Sequence, residues 1–192
     1  MCAAGPVRGP EWSNLARSSR TRKTAAIDPE LRRLLDEQAI HRRLIDYCRG
    51  IDRLDADLVA SVYHPDGTDD HGSFKGLGVD FAQHVIGRIA DRYESTMHTC
   101  GNPHIEFSDA DAALVESHVC ARHVAQQDGR TVLVTFGGRY VDNFERRDGE
   151  WKIAHRTVVH EWDKVEPMQS WFPTDQFTRG RRDRSDLSYP AR

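Results

Sequence analysis

The chain has 192 residues, and its 27 basic and 30 acidic side chains leave a formal net charge of −3 at pH 7. This length fits one domain with flanking segments, and the near balance of charge gives no indication of a nucleic acid or an anionic membrane as a partner. No apolar run approaches the ~20 residues that a membrane-spanning helix needs.

Residues 1–28 are polar, and we predict that they form a flexible N-terminal tail. They lack the apolar core of a secretory signal. The chain has four cysteines, Cys2, Cys48, Cys100 and Cys120, which form neither a CxxC motif nor a tight cluster. Reduced thiols fit this pattern best, so we expect a cytoplasmic protein.

Three helices are predicted in the first half of the chain. The first begins after Asp28, which is a capping residue followed by Pro29 at the first helical position. Its apolar side chains recur at helical spacing as far as Gly50, which we predict to be the C-terminal cap. A second, short helix should begin at Asp55 or Asp57, and a third is predicted over residues 79–93.

The rest of the chain is predicted to be extended. A turn is expected over residues 65–67, and strands over residues 68–74, 96–100, 104–107, 113–126, 131–146 and 151–162. Asp128-Gly129 and Asp148-Gly149 separate the three long strands and are typical of tight hairpin turns.

Helices followed by an antiparallel meander predict an α+β fold. We expect one domain over residues 29–163, in which three N-terminal helices pack on a strongly curved, mainly antiparallel sheet. The long strands favour a cone-shaped α+β barrel that encloses a pocket. Residues 164–192 are expected to form a C-terminal extension.

Alternation along the long strands sorts their side chains into two faces. One face of the first and one face of the last long strand combine charged, imidazole and aromatic groups. These are Glu116, His118 and Arg122 on the first strand, and Arg156, His160 and Trp162 on the last. Because this mixture is unusual on a solvated face, we predict that it faces the pocket. Five of these side chains are predicted to bind substrate: Glu116, His118, Arg122, His160 and Trp162.

Four ordered motifs carry a family resemblance. They are Tyr47-Cys48-Arg49-Gly50-Ile51-Asp52, Tyr63-His64-Pro65-Asp66-Gly67, Thr96-Met97-His98 and Trp151-Lys152-Ile153-Ala154-His155-Arg156. Together with their intervals, they resemble the SnoaL-like branch of the nuclear-transport-factor-2-like superfamily over roughly residues 30–163. This branch is similar to scytalone dehydratase, bile acid 7α-dehydratase and hexachlorocyclohexane dehydrochlorinase.

The resemblance implies catalytic roles for four residues. His98 matches a general-base histidine, and Asp52 matches a buried aspartate that would orient it. Tyr47 matches a position that can donate a hydrogen bond to a carbonyl or leaving oxygen, and Arg156 supplies positive charge where negative charge develops.

The function implied by the resemblance is a cofactor-independent lyase. It would eliminate water, HX or a small aldehyde from a hydrophobic aromatic or polycyclic substrate, as a homodimer or homotrimer. Two alternatives stay open: an isomerase or polyketide-type cyclase with the same base, and a non-catalytic subunit similar to the small subunit of ring-hydroxylating dioxygenases. The ten histidines include no HxH or HExxH motif, so no metal site is predicted.

The end of the last strand and the C-terminal extension together carry apolar side chains that are unusual for a free tail. They are Trp162, Met168, Trp171, Phe172 and Phe177. We predict that they cap the mouth of the pocket or pack on a neighbouring subunit. Packing on the outside of the sheet is the alternative.

Overall fold

The computed structural model describes residues 27–189, which form helices packed on a six-stranded sheet. The helices are Pro29–Asp52 (α1), Ala56–Ser61 (α2) and Gly78–Arg92 (α3). The strands are Tyr63–Asp70 (β1), Lys75–Leu77 (β2), Ser95–Phe107 (β3), Ala112–Gln127 (β4), Arg130–Arg147 (β5) and Glu150–Pro167 (β6). A short 3-10 helix, Thr174–Gln176, lies in the C-terminal segment. Residues 1–26 of the predicted tail lie outside the described residues.

The sheet is mixed, with the strand order β2-β1-β6-β5-β4-β3. Strands β3 to β6 form the predicted antiparallel meander, whereas β1 pairs with β6 in parallel. Because β2 and β3 lie at opposite edges, the sheet stays open, and it is not strongly curled. The α+β class and the packing of helices on the sheet are confirmed, but the strongly curved barrel is not what the structure shows.

Local chemistry accounts for the ends of several elements. The Asp28 carboxylate accepts a hydrogen bond from the backbone N–H of Glu30 at 2.9 Å, which fixes the start of α1 as predicted. Both hairpin turns place Asp and then Gly in the left-handed region, with φ of 51° and 74° at residues 128 and 129, and 53° and 83° at residues 148 and 149. Two consecutive positive φ values are the signature of the type I′ turn, so the predicted hairpins are confirmed.

Two strands continue through segments that were not predicted to be extended. The two short strands predicted over residues 96–107 form the single strand β3, because a bulge between Gly101 and His104 absorbs the intervening residues. Similarly, the turn predicted over residues 65–67 lies within β1, whose register with β6 shifts between Tyr63 and Thr68. After this shift Asp69 lies opposite Arg156, and both side chains are buried.

The core fills the space between the helices and the inner face of the sheet. Its fully buried members include Ile40 and Ile51 of α1, Val115 of β4, Phe144 of β5 and Ile153 of β6. Burial of each such side chain contributes about 1.5–3 kcal/mol relative to exposure. In the described part of the chain, no helix has the length and apolar character needed to cross a membrane.

Candidate active site

A cavity of about 440 Å³ lies between the helices and the inner face of the sheet. Side chains from α1, α3, the β1–β2 loop and strands β3 to β6 form its wall. The lining is mainly apolar, with Ile51, Phe81 and Phe136 among its members, and it also contains the imidazoles of His98 and His123. This size and composition are typical of a binding site for a small organic molecule.

His98 lines the cavity and forms a hydrogen-bonded pair with Asp52, which lies behind it. Asp52 is the last residue of α1, and its Oδ1 lies 2.8 Å from Nδ1 of His98 on β3. The second carboxylate oxygen accepts the backbone N–H of His98 at 2.9 Å, and the hydroxyl of Thr96 donates to Oδ1 at 2.9 Å. The side chains of Asp52 and His98 are only 14% and 8% exposed. Since a carboxylate is an acceptor, Nδ1 of His98 carries the proton, and Nε2 is the nitrogen left for a substrate.

The Asp52 carboxylate stays ionised in this setting. Burial raises its pKa, but the hydrogen bonds and charge of His98, together with the Thr96 hydroxyl, outweigh burial and hold the pKa below its ordinary value. An ionised carboxylate at this position fixes the tautomer of His98 and stabilises the imidazolium that forms when the ring accepts a proton.

Tyr47 of α1 also lines the cavity, and Arg156 of β6 lies directly behind it. The guanidinium carbon of Arg156 is 4.3 Å from the ring centroid of Tyr47 and 4.0 Å from that of Tyr140. Burial raises the pKa of the Tyr47 hydroxyl far above its ordinary value, although Arg156 opposes the shift. Tyr47 therefore keeps its proton and can only act as a neutral hydrogen-bonding group.

Arg156 is held by an ion pair with Asp142 on β5. Its Nε and Nη2 each donate to one Asp142 oxygen at 2.7 Å, and neither side chain is exposed at all. Burial alone would lower the pKa of Arg156, but Asp142 raises it, so the guanidinium is charged. Its Nη1 is buried and has no hydrogen-bond partner among the described residues. Arg156 does not line the cavity, so it is placed to act through Tyr47.

His123 of β4 lines the cavity and was not assigned by the sequence analysis. Its ring makes an edge contact with His98, with centroids 5.4 Å apart, and packs on Tyr93 at 4.4 Å. Burial, with a smaller effect from His98, lowers the pKa of His123 to about 4, so the ring is neutral at pH 7. Strand alternation in the sequence could have identified His123, because this residue shares a face of β4 with Ala121, which also lines the cavity.

The structure corrects the predicted placement of Glu116, His118 and Arg122. They lie on the face of β4 opposite to Ala121 and His123, away from the cavity. His118 and Arg122 are exposed, and Glu116 pairs across the strands with Arg139 at 2.6 Å. Alternation separated the two faces correctly, but the charged face is the outer one, where His118 and Arg122 reach solvent and Glu116 forms a cross-strand ion pair.

The two predicted binding residues at the end of β6 have different positions. His160 lines the cavity, and its Nε2 lies 2.9 Å from Oδ1 of Asp163, which also lines it. Trp162 does not line the cavity: it is 52% exposed, and its ring packs against Gly137 of β5 in the space that a Cβ would occupy. A register shift between residues 137 and 138 in the β5–β6 pair gives these two side chains different directions.

The C-terminal segment does not cover the cavity with its aromatic side chains. Trp171, Phe172 and Phe177 are 90%, 67% and 58% exposed and are absent from the cavity wall. The segment is instead attached to the helices by polar contacts, among them a hydrogen bond from the Arg182 guanidinium to the backbone carbonyl of Tyr93. Packing of the aromatic side chains on a neighbouring subunit stays a prediction.

Over residues 27–189, no group of three or more His, Cys, Asp or Glu side chains is arranged to hold a metal ion. Cys48, Cys100 and Cys120 are free thiols, and none of them lines the cavity. The groups available for chemistry at the cavity wall are imidazoles, tyrosine hydroxyls, the Asp163 carboxylate and the guanidiniums of Arg88 and Arg92, with the Asp52 carboxylate behind His98. Together they suit the transfer of protons.

Residues 32–157 match the family model of the SnoaL-like domain. The match covers well over half of the chain, and the chain belongs to this family, whose fold is the nuclear-transport-factor-2-like one.

Hexachlorocyclohexane dehydrochlorinase 1 from Sphingobium indicum is 27% identical over 130 residues, which cover 65% of this chain and 81% of the relative. The structure of the hexachlorocyclohexane dehydrochlorinase LinA-type3 from Novosphingobium barchaimii matches with a TM-score of 0.65 at 22% identity, covering 75% of this chain and 99% of that one. A proposed scytalone dehydratase from Novosphingobium aromaticivorans matches with a TM-score of 0.63 at 22% identity, covering 78% and 99%. Because the sequence identities to these two structures are only 22%, their structural similarity shows a shared fold alone.

Proposed function

We propose that the protein is a cofactor-independent lyase in which His98 removes a proton from an activated carbon of the substrate. The observation that carries this proposal is the Asp52–His98 pair, joined at 2.8 Å, on the wall of a largely apolar cavity. Similarity to a hexachlorocyclohexane dehydrochlorinase supports elimination as the reaction type. A purely structural subunit has no need of such a pair facing an internal cavity.

In this mechanism, Nε2 of His98 takes the proton and the C–H electron pair begins to form the new double bond. Charge then develops on the imidazole, where the adjacent Asp52 carboxylate stabilises it. A positioned base of this kind typically contributes about a hundredfold to ten-thousandfold to the rate.

Negative charge also develops on the substrate, because the C–H electron pair stays there when the proton leaves. The proposed mechanism uses no metal or organic cofactor to accept this charge. A substrate that can delocalise this charge, such as a phenol or an enone, is therefore required. We propose that the Tyr47 hydroxyl donates a hydrogen bond to the oxygen that carries the charge. Arg156, which lies 4.3 Å behind the Tyr47 ring, supports that charge electrostatically.

The substrate proposed for this site is small, hydrophobic and aromatic or polycyclic. The cavity volume of about 440 Å³ and the apolar lining support this class. The neutral His123 and the imidazole of His160 provide polar contacts that orient the molecule. The Asp52–His98 pair acts only on the C–H bond, so it does not determine which leaving group departs.

We also propose that the protein is a homodimer or homotrimer. Several large apolar side chains are more than 40% exposed in the single chain: Met97, Leu114, Trp162, Val165, Met168, Trp171, Phe172 and Phe177. Apolar surface of this extent is typical of an interface. Light scattering after size exclusion should give two or three times the chain mass, and a monomer at micromolar concentration would contradict the proposal.

The base is tested with 5-nitrobenzisoxazole, a small aromatic probe whose ring opens when a single proton is removed from carbon. The phenolate leaving group is stable by itself, so the rate reports only the base. We expect His98→Ala to lower the protein-catalysed rate at least about a hundredfold. His104→Ala is the matched control, because His104 also pairs with a carboxylate, Glu106 at 3.0 Å, but is 73% exposed and distant from the cavity wall. Equal rates for the wild type and His98→Ala would refute the proposed function.

A further inference from the structure

A second imidazole that is paired with a buried carboxylate lines the same cavity, in addition to the exposed pair of His160 and Asp163. Nδ1 of His71, in the loop between β1 and β2, is 3.0 Å from Oδ1 of Asp69. The His71 ring stacks on Phe81 with centroids 4.4 Å apart, and it lines the cavity with 28% of its side chain exposed. This pair repeats the geometry of Asp52 and His98: the carboxylate faces Nδ1 and leaves Nε2 free.

The Asp69 carboxylate is firmly positioned. Its side chain has no exposed surface, and its other oxygen accepts the hydroxyl of Tyr63 at 2.6 Å. The register of β1 with β6 places Asp69 opposite Arg156, so a charged guanidinium lies on the neighbouring strand. A buried carboxylate is tolerated only with partners of this kind.

The orientation of His71 follows from these contacts. The ring is fixed by its stack on Phe81, and Nδ1 is fixed by Asp69, so only rotation that breaks both contacts would redirect it. In the part of the chain that the structure describes, no group hydrogen-bonds to Nε2 of His71. With Nδ1 held by Asp69, Nε2 of His71 is the ring nitrogen that faces a substrate, and an imidazolium in this orientation donates its proton from Nε2.

We propose that His71, positioned by Asp69, is the general acid that protonates the leaving group, and that the leaving group is an oxygen. This inference rests on the proposed function, in which His98 removes the proton from carbon. Nε2 of His98 takes the C–H proton, the electron pair forms the C=C bond, the C–O bond breaks, and the leaving oxygen takes the proton of Nε2 of His71. For a hydroxyl substrate the products are the alkene and water, and exchange with solvent returns each imidazole to its starting state.

The chemistry of leaving groups connects the second pair to this substrate class. Chloride departs as a stable anion and needs no proton. Hydroxide is the strongly basic conjugate base of water, so it departs readily only after protonation. A site with an oriented imidazole on the same cavity wall as its base is therefore suited to loss of water rather than of hydrogen halide.

A pair of substrates that differ only in the leaving group tests this inference. β-Hydroxypropiophenone and β-chloropropiophenone lose the same proton and give the same phenyl vinyl ketone, which is followed by its absorbance. We expect His71→Gln to lower turnover of the hydroxy ketone at least about a hundredfold and to change turnover of the chloro ketone less than about threefold. Retained activity on the chloro ketone shows that the variant is folded.

His104→Gln is the control for replacing a carboxylate-paired histidine, since His104 is exposed and outside the cavity wall. His71→Phe, which keeps an aromatic ring on Phe81, should behave as His71→Gln does. The inference is overturned if His71→Gln slows both substrates equally or neither, or if the wild type turns over the chloro ketone alone. Failure of the proposed function has a different signature, which is His98→Ala with unchanged rates on both substrates.

Discussion

Replacing Arg156 with Met should destabilise the protein strongly, because it leaves the Asp142 carboxylate without a counter-charge in a fully buried site. Both side chains have no exposed surface, and two hydrogen bonds of 2.7 Å join them. Hydrogen bonds to charged groups contribute roughly 1.5–3 kcal/mol each. The variant also loses the stacking of the guanidinium on Tyr47 and Tyr140.

Removing one partner of a buried ion pair typically destabilises a protein by about 3–5 kcal/mol, since the remaining charge is neither solvated nor paired. Burial already raises the pKa of Asp142, and without Arg156 this carboxyl would take up a proton, which limits the loss. We therefore expect Arg156→Met to lower the free energy of unfolding by about 3 kcal/mol, at the lower end of that range.

The double variant Arg156→Met/Asp142→Leu separates the two contributions. Replacing both partners with apolar side chains removes the orphaned charge, and such replacements are often neutral or stabilising. We expect the double variant to recover most of the loss, to within about 1 kcal/mol of the wild type.

Urea unfolding at pH 7, followed by tryptophan fluorescence, measures these differences. With a slope of about 1–3 kcal/mol per molar urea, a loss of about 3 kcal/mol lowers the midpoint by about 1–3 M. A loss below about 1 kcal/mol in Arg156→Met would show that the pair is not the buried, dry ion pair described above. A double variant as unstable as the single one would show that the orphaned carboxylate is not the cause.

Three further outcomes are expected. The pKa of His123 is lowered to about 4, so between about pH 6.5 and pH 4 the unfolded chain binds a proton at this residue and the folded chain does not. The free energy of unfolding therefore falls by up to about 3 kcal/mol as the pH drops through this range. His123→Gln should remove that part of the loss in urea unfolding at pH 7 and pH 4, and an unchanged pH dependence would refute the assignment. Asp52→Asn should lower the rate of 5-nitrobenzisoxazole opening by about a hundredfold and by no more than His98→Ala does, because an amide no longer fixes the tautomer or stabilises the imidazolium; a loss below about tenfold would contradict this role. Gly137→Ala should destabilise the fold by about 1–3 kcal/mol in thermal unfolding, because its Cβ would overlap the Trp162 ring, and an unchanged melting temperature would show that the ring moves freely.

Local chemistry made several elements predictable from the sequence. The cap at Asp28 and the two Asp-Gly turns depend on a few neighbouring residues, and the structure has them as predicted. The pairing of Asp52 with His98 depends on chain folding across 46 positions, and only the family resemblance indicated it before the structure did.

Features that depend on long-range packing were not predictable in the same way. Alternation separated the two faces of β4, but the face that carries His123 is buried only because the helices cover it. The pair of Asp69 and His71 follows a register shift inside β1, and the same segment was interpreted as a turn and a separate strand. A bulge changes which side chains point inward without leaving a clear pattern in the sequence.

Exchange of hydrogen for deuterium at the α-carbon of propiophenone tests the role of His98 most directly. This ketone has no leaving group, so its exchange in deuterated water reports proton removal alone, and proton NMR measures the loss of the α-CH₂ signal. The wild type and His71→Gln should catalyse the exchange at similar rates, and His98→Ala should show only the buffer rate. Exchange by His98→Ala at the wild-type rate would contradict the assignment of His98 as the base.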